Sequence, residues 1–467
     1  MSGNGIVHLG VGAFFRAHVA QYLAETRAAA GGDWRVIGIS LRRPDIRDAL
    51  APQGFRYHAV ERGPDGDIPR GIDVISDVLV APEDPEAVIR VLADPAIRLV
   101  TLTITEKGYC RDPATGALDR ANPDIRHDIA APSRPRSAPG FLVAALARRR
   151  ALGLRPFTIL SCDNLPDNGA QTRAVTLALA RETDPALADW IEAEARFPST
   201  MVDRIVPATT PADIARLARD HGITDAAPVF HEPFRQWVIE DDFIDGARPA
   251  FEVAGATMVA DVAPFEAMKL RCLNGAHTAL ACLGLLAGHE TIADTVGDPP
   301  FAAYVRALWR TEIIPAVTPP PGVDLTAYTD ALLARIANPA IRHRTAQIAT
   351  DTSQKLPQRL LATLAANRAA GRPYEALALA VAAWFRLIDG TDDTGRPVPL
   401  DDPLLGRLKA LSDSAPDPAG KVAALLSLAE VFPPPLARDA ALRECLTQEY
   451  EALRDHGARA RTGRYMS

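Results

Sequence analysis

The stretch MKLRCLNGAHTALACLG, Met268 to Gly284, is apolar enough to read as one buried helix, yet it carries Lys269, Asn274 and His277. At about 100° per residue, Lys269, Glu266, His277 and Asn274 fall at roughly 0°, 60°, 80° and 140° on a helical wheel. An ammonium, a carboxylate, an imidazole and an amide therefore lie within one face and could share a pocket. The same residues also fit a lysine that snorkels to the surface, a kink at Asn274 and Gly275, and a core histidine with its hydrogen bonds satisfied. The helix alone does not choose between these.

A second group with chemical potential opens the chain. In HLGVGAFFRAH, Gly10 ends an apolar strand and Gly12 permits a pyrophosphate to approach the backbone, while the helix that follows offers its first N–H groups to an anion. Phe15 stands where G-x-G-x-x-G would place its third glycine, so a tight strand–helix turn without a ligand fits as well. Arg16 adds a charge that could meet phosphate. The second strand ends in SLRRPD, with Arg42 and Arg43 where an acid for a ribose 2′-hydroxyl is expected and Asp45 only later. That leaves NAD and NADP both open, with the arginines pointing toward a 2′-phosphate.

The elements that must position these groups follow from periodicity. GIVHLGVGAFFRAHVAQYLAETRAAAGGD runs from a strand through the glycine pair into one amphipathic helix that stops at Gly31 and Gly32, and WRVIGISL is the next buried strand. IRLVTLTIT and PFTILSCDNL continue the strands, with GFLVAALARRRALGL as a helix between them. Such alternation predicts a doubly wound α/β domain around a parallel sheet. FRYHAVERGPDGDIPRGIDVISDVLV, with turn residues between short β-rich runs, predicts a hairpin-like insertion. Beyond about Asp261, Ala/Leu-rich segments such as YEALALAVAAWFRLIDG succeed one another without a strand pattern. The expected division is thus 1–260 as a dinucleotide-binding domain and 261–467 as a mainly α-helical domain.

Composition narrows the class. The chain has 467 residues, 48% of them hydrophobic, enough for two cores. With 51 Lys+Arg against 58 Asp+Glu, and no basic run, a nucleic-acid partner is not expected. The N-terminus has no basic, apolar leader pattern and the chain has no long uncharged apolar run, so a cytoplasmic protein with no membrane partner is expected. The five cysteines, Cys110, Cys162, Cys272, Cys282 and Cys445, are odd in number and scattered, which predicts reduced thiols. The spacing of Cys272, His277 and Cys282 matches no ligand pair, so no metal site is expected.

Seven stretches then carry a resemblance: HLGVGAFFRAH, TLTITEKGYC, SCDNLPDNG, MVDRIVPATTP, EPFRQWVIEDDF, MKLRCLNGAHTALACLG and DTSQKLPQRLL. In this order they closely resemble the polyol-specific long-chain dehydrogenases, the family of mannitol 2-dehydrogenases and fructuronate reductases. The resemblance implies a Rossmann-type N-terminal domain, a helical C-terminal domain, a catalytic cleft between them, NAD as cofactor, a monomeric state and metal-independent hydride transfer. In K-x-x-x-x-N-x-x-H it makes Lys269 the acid/base, Asn274 an oxyanion donor and His277 a residue that orients substrate. It makes Asn164 of SCDNLP the second oxyanion donor and Glu266 a proton relay to water. Asp203 of MVDRI and Lys355 of SQKLP match positions that bind substrate hydroxyls or a carboxylate, and Glu106 and Lys107 of TEKGY the nicotinamide side. Plainer readings exist for each: an Asx turn at Asn164, ion pairs at Glu266, Asp203 and Lys355, a structural turn at Glu106 and Lys107.

The chemistry agrees with the implied roles. Taking hydride from a secondary alcohol needs a base for the hydroxyl proton and donors for the alkoxide, and carbonyl reduction needs them in reverse. A lysine can serve only if it titrates well below about 10.4, and a shift of roughly three units amounts to about 4 kcal/mol of differential solvation. In mannitol dehydrogenases an arginine tends to lie eight residues before the lysine matching Lys355, where this chain has Gln347. QIATDTSQKLPQRLL is more similar to the fructuronate reductase branch, which implies reduction of D-fructuronate to D-mannonate, with D-fructose/D-mannitol interconversion as the alternative. A nucleotide-binding protein without activity is the third reading, but such a scaffold has no use for a buried ammonium.

Overall fold

The computed structural model describes residues 4–112 and 115–466. The chain divides into two compact units, one running to Ala263 and the other starting at Pro264. In chain order the strands of the first unit are β1 (Asn4–Leu9), β2 (Arg35–Ser40), β3 (Tyr57–Gly63), β4 (Gly66–Ile72), β5 (Ile75–Val80), β6 (Leu99–Leu102), β7 (Thr158–Ser161), β8 (Thr200–Asp203), β9 (Val229–His231), β10 (Gln236–Glu240) and β11 (Thr257–Val259). Five of them form a sheet in the order β5-β2-β1-β6-β7, parallel throughout. The chain leaves β1 in one direction and returns to its other side at β6, the point at which such sheets bind ligands beyond their carboxyl ends.

Alternating side chains bury both faces of this sheet, as strand geometry requires. Val7, Val100 and Ile159 enter one core with Phe141, Leu142 and Leu146 of the helix Ala138–Ala151. Ile6, Leu99 and Leu160 enter the other with Tyr22, Leu23 and Trp237. The doubly wound α/β expectation is therefore met. Two local expectations change. DVISDVLV is not part of the insertion, since Ile75–Val80 pairs with β2 as an edge strand, and only β3 and β4 form the antiparallel hairpin, joined by β9. The first helix is also not continuous: it breaks at His18 between Ala13–Ala17 and Val19–Ala30. His18 is fully buried between Phe14, Tyr22 and Trp237, with Nε2 against the Gln236 carbonyl at 3.0 Å, and these contacts override helix continuity.

The second unit is mainly α-helical, as its composition predicts. Its centre is Glu375–Ile388, buried on all sides from Ala376 to Phe385, packed against Ala276–Leu286 and Ala440–Thr462. The Glu312 carboxylate accepts from Ala376 N and Leu377 N at 2.7 and 2.8 Å, filling the open N-terminus of that helix. Burial pushes its pKa up to about 7. No helix among the described residues is long and apolar enough to cross a membrane.

Three helical stretches of this unit have i→i+5 geometry: Lys269–Gly275, Leu308–Ile313 and Pro357–Leu361. The MKLRCLNGAHTALACLG stretch is thus not one α-helix but Ala263–Met268, a π-helical turn, and Ala276–Leu286. Pro357 explains one of the three, because its ring cannot donate and crowds the carbonyl four residues back, and a wider turn relieves both.

Burial pushes the pKa values of His8, His18 and His231 in the first unit down to about 3. Since their unfolded value is about 6.5, the unfolded chain takes up protons below that pH that the folded unit refuses. Their contribution to stability is complete above pH 6.5 and is lost as pH falls toward 3. The urea midpoint of the first unit, followed by Trp237 fluorescence, is expected to fall from pH 7.5 to pH 5. The H8Q variant should show a slope shallower by up to about 1.4 kcal/mol per pH unit. An equal slope would remove His8 from this account.

Candidate active site

At the carboxyl end of β1, Gly10 has φ +96°, and a Cβ there would come within 2.2 Å of the Thr103 carbonyl oxygen. Only glycine fits. His8, paired in register with Thr101 on β6, bonds the Thr101 hydroxyl at 2.7 Å through Nδ1 and places Nε2 2.9 Å from the Thr103 hydroxyl, which donates to the Gly10 carbonyl. Gly12 is the exposed residue preceding Ala13–Ala17, with no side-chain cap, and a Cβ on it would meet nothing nearer than 4.0 Å. The space above the turn is open and N–H groups face it, so a dinucleotide pyrophosphate fits.

Phe15 and Arg16 do not contribute side chains to that open face. Phe15 is fully buried and stacks on the His8 ring at 3.6 Å. Arg16 is buried, donates to the Ala227 carbonyl and lies over the Tyr57 ring, so the phosphate contact expected of it is replaced by a core contact. Both support the turn from beneath.

Beyond the ends of β2 and β5 lies a cavity of about 650 Å³, lined in part by Leu41, Arg42, Pro82, Asp124, His127 and Arg136. Arg42 is exposed and reaches Asp124 at 3.8 Å, while Arg43 pairs with Asp45 at 3.3 Å. Asp124, in the helix Pro123–Ala130, sets a carboxylate beside Arg42 at this strand end. Nothing in the local sequence connects it with β2, which ends at Ser40, 84 residues earlier.

The ends of β6 and β7 are tied by a residue that motif reading passed over. Asp163 accepts from Ile104 N and Thr105 N, each at 2.9 Å, and from the Tyr109 hydroxyl at 2.7 Å; burial pushes its pKa up despite these bonds. The two N–H contacts hold Thr105 at φ +63°, costly for a β-branched residue. The short helix Thr105–Gly108 thereby presents Glu106 and Lys107, both exposed. Asn164, next to Asp163, is exposed beyond β7. Asn168, fully buried, donates to the Asp163 and Thr200 carbonyls and accepts from Thr200 N, which fixes β8 against β7. Asp203 ends β8 and is buried.

In the second unit, Lys269 begins the π-helical turn and is buried, as is His277; Glu266 and Asn274 are half-buried. Lys269 and Asn274 lie five positions apart, so an i→i+5 turn brings them nearer to one line than an α-helix, which would set them about 140° apart. The carbonyls that the wider turn releases find side-chain donors: Trp309 Nε1 reaches the Cys272 oxygen at 2.7 Å and Thr278 Oγ1 the Asn274 oxygen at 3.0 Å. A Cβ at Gly275 would lie 2.7 Å from the Arg359 carbonyl oxygen, so the approach of Pro357–Leu361 requires glycine here. His277 meets His343 edge to face at 5.4 Å.

Lys355 and Gln347 separate. The Lys355 ammonium donates to the carbonyls of Ile348, at 3.2 Å, and Thr350, closing the end of Thr345–Ala349. Its pKa is lowered by burial and by Arg359. Gln347 is exposed on that same short helix. Cys272 and Cys282 are buried thiols pushed up to about 12. Among the described residues no three His, Cys, Asp or Glu side chains group as a metal site would require.

Comparison with known proteins agrees with this division. The mannitol dehydrogenase Rossmann domain family matches residues 4–253 and the mannitol dehydrogenase C-terminal domain family matches residues 261–454. An oxidoreductase of Escherichia coli K12 is 45% identical over 455 residues, 97% of this chain and 93% of that protein. The D-mannonate oxidoreductase of the same organism is 43% identical over 458 residues, 97% of this chain and 94% of that protein. The mannitol 2-dehydrogenase of Pseudomonas fluorescens, solved as a ternary complex with NAD and D-mannitol, superposes with a TM-score of 0.85 at 41% identity, covering 99% of this chain and 94% of that one. Matched along both units, the chain belongs to the mannitol dehydrogenase family.

Proposed function

We propose that this oxidoreductase transfers hydride between NAD(H) and a sugar acid, reducing D-fructuronate to D-mannonate. The observation that carries the reaction type is the buried Lys269 at the start of a π-helical turn that also carries Asn274, with His277 following. The D-mannonate oxidoreductase at 43% identity supports the sugar acid, and the NAD-bound relative at 41% supports the cofactor.

NADH, when bound, supplies the hydride to the carbonyl carbon. The chain's own groups manage the oxygen and its proton. Asn274 and Asn164 donate hydrogen bonds to the carbonyl oxygen as negative charge grows on it. Lys269, as ammonium, gives its proton to that oxygen, which completes the secondary alcohol, and in the reverse direction the amine takes the hydroxyl proton. Glu266, one turn before Lys269, passes the proton to or from water. His277 orients the substrate, and Asp203 binds a substrate hydroxyl. In the first unit the open turn at Gly10 and Gly12 would hold the pyrophosphate, and Arg42 with Asp124 would hold the adenosine end.

Interconversion of D-fructose and D-mannitol is the second reading, favoured by the mannitol-bound relative. Assaying NADH oxidation with D-fructuronate and with D-fructose separates the two. Turnover of the ketose alone overturns the sugar-acid assignment.

Three outcomes are expected. Lys269→Ala should retain fold and nucleotide binding but lose kcat by about 10² to 10⁴, the span of a positioned acid/base, and should lose the pH-dependent limb of the oxidation rate. A change in melting temperature with kcat within a few-fold of wild type would return Lys269 to a packing role. NADH should exceed NADPH in kcat/KM, and a tenfold preference for NADPH, about 1.4 kcal/mol, would reverse the cofactor assignment. Exhaustive dialysis against EDTA should leave the rate intact; loss of activity restored by zinc would replace lysine chemistry by metal chemistry.

A further inference from the structure

Burial pushes three guanidinium groups of this chain down to about 10: Arg149, Arg204 and Arg359. The first two are filled by internal acceptors. Arg149 donates to the Arg155 and Asp94 carbonyls at 2.7 and 2.8 Å, and Arg204 to the Ala17 and Glu232 carbonyls and to Gln21 Oε1. Arg359 has one neutral acceptor, Thr278 Oγ1 at 3.2 Å, and no carboxylate partner. Among the described residues its other N–H groups make no bond, and the side chain is only partly buried. A desolvated fork with one weak contact is matched by a planar anion that accepts two parallel N–H bonds.

Its position ties it to Lys269, Asn274 and His277. Thr278 follows His277 directly, and its hydroxyl accepts from Arg359 while donating to the Asn274 carbonyl at 3.0 Å. The Arg359 backbone is held against Gly275 by the contact that excludes a Cβ. One turn earlier stands Lys355, whose pKa is lowered by burial and by Arg359, and two of its three donors are already committed to the Ile348 and Thr350 carbonyls. That leaves Lys355 as a supporting charge and Arg359 as the free fork.

We propose that Arg359 binds the carboxylate of the substrate and so selects sugar acids over neutral polyols. The choice of ligand rests on the sugar-acid reading above, but the contact itself is tested without turnover. D-Mannonate is titrated into the NAD-loaded enzyme by calorimetry, with the melting temperature of each variant recorded alongside. R359Q is expected to weaken D-mannonate about 10²-fold, as loss of a charge-assisted bidentate contact does. R359K keeps the charge without the planar fork and is expected to weaken it about tenfold.

Turnover of D-fructuronate by the wild type is measured separately. If it occurs and both variants bind D-mannonate like wild type, the function stands and the anchor is overturned. If it does not occur but D-mannonate binds through Arg359, the anchor stands and the assigned reaction falls. Wild type that neither binds D-mannonate nor reduces D-fructuronate overturns both. Should R359Q not fold, unchanged affinity in R359K alone is enough to overturn the anchor.

Discussion

The π-helical turn at Lys269–Gly275 is held by three contacts from outside it, and the chemistry of the second unit depends on them. A helix interior gains nothing from i→i+5 bonding on its own, because the wider turn releases carbonyls that the α register would satisfy. Here Trp309 Nε1 takes the Cys272 oxygen and Thr278 takes that of Asn274, while Gly275 lets the Arg359 backbone close against the turn. Trp309 and Arg359 belong to the two other π-helical stretches, so both of these pack against the turn at Lys269–Gly275. Lys269 and Asn274 come nearer to one line through this arrangement than the α-helical period would bring them.

The first unit solves a different problem, that of bringing loop residues to the carboxyl ends of parallel strands without leaving backbone groups unpaired. His8 bonds the Thr101 and Thr103 hydroxyls, and Thr103 closes on Gly10, so the first turn is bonded to the end of β6. Asp163 then bonds β7 to the loop after β6, and Asn168 bonds β7 to β8. Each of these side chains is polar, buried and saturated with partners, which makes the strand ends rigid where Asn164, Glu106 and Lys107 project. A rigid support limits how far an exposed donor strays from the geometry its chemistry needs.

Electrostatics separate the units further. The groups nearest the π-helical turn in sequence or by hydrogen bonding are Lys269, His277, Arg359 and, one turn from Arg359, Lys355. Burial lowers the pKa of Lys355 and Arg359, and His343, against His277, is pushed down to about 4. The buried Glu312 carboxylate of this unit is spent on the N-terminus of Glu375–Ile388, and the buried Glu449 on Arg461 and Arg464.

How much of this was legible in the sequence depends on whether its cause is local. Strand–helix alternation, the glycine turn and the helical second half are set by periodicity and by residues adjacent in the chain, and the structure has them. The break at His18 was not legible, because its cause is the Gln236 carbonyl 218 residues away. Asp124 and Asp163 were missed for the same reason: the first meets Arg42 across the fold, and the second acts on N–H groups 58 and 59 residues earlier. A glycine-rich turn shows which backbone is exposed but not that the side chains of Phe15 and Arg16 beside it are buried beneath it. The K-x-x-x-x-N-x-x-H spacing is the instructive case. On an α-helical wheel Lys269 and Asn274 share a broad face but not a line, and the five-residue interval gains its meaning only when Gly275, Trp309 and Thr278 make the turn π-helical. Residue types at a spacing thus identify candidates, whereas the geometry that lets them act together is written in contacts that lie 37 and 84 residues along the chain, from Cys272 to Trp309 and from Gly275 to Arg359.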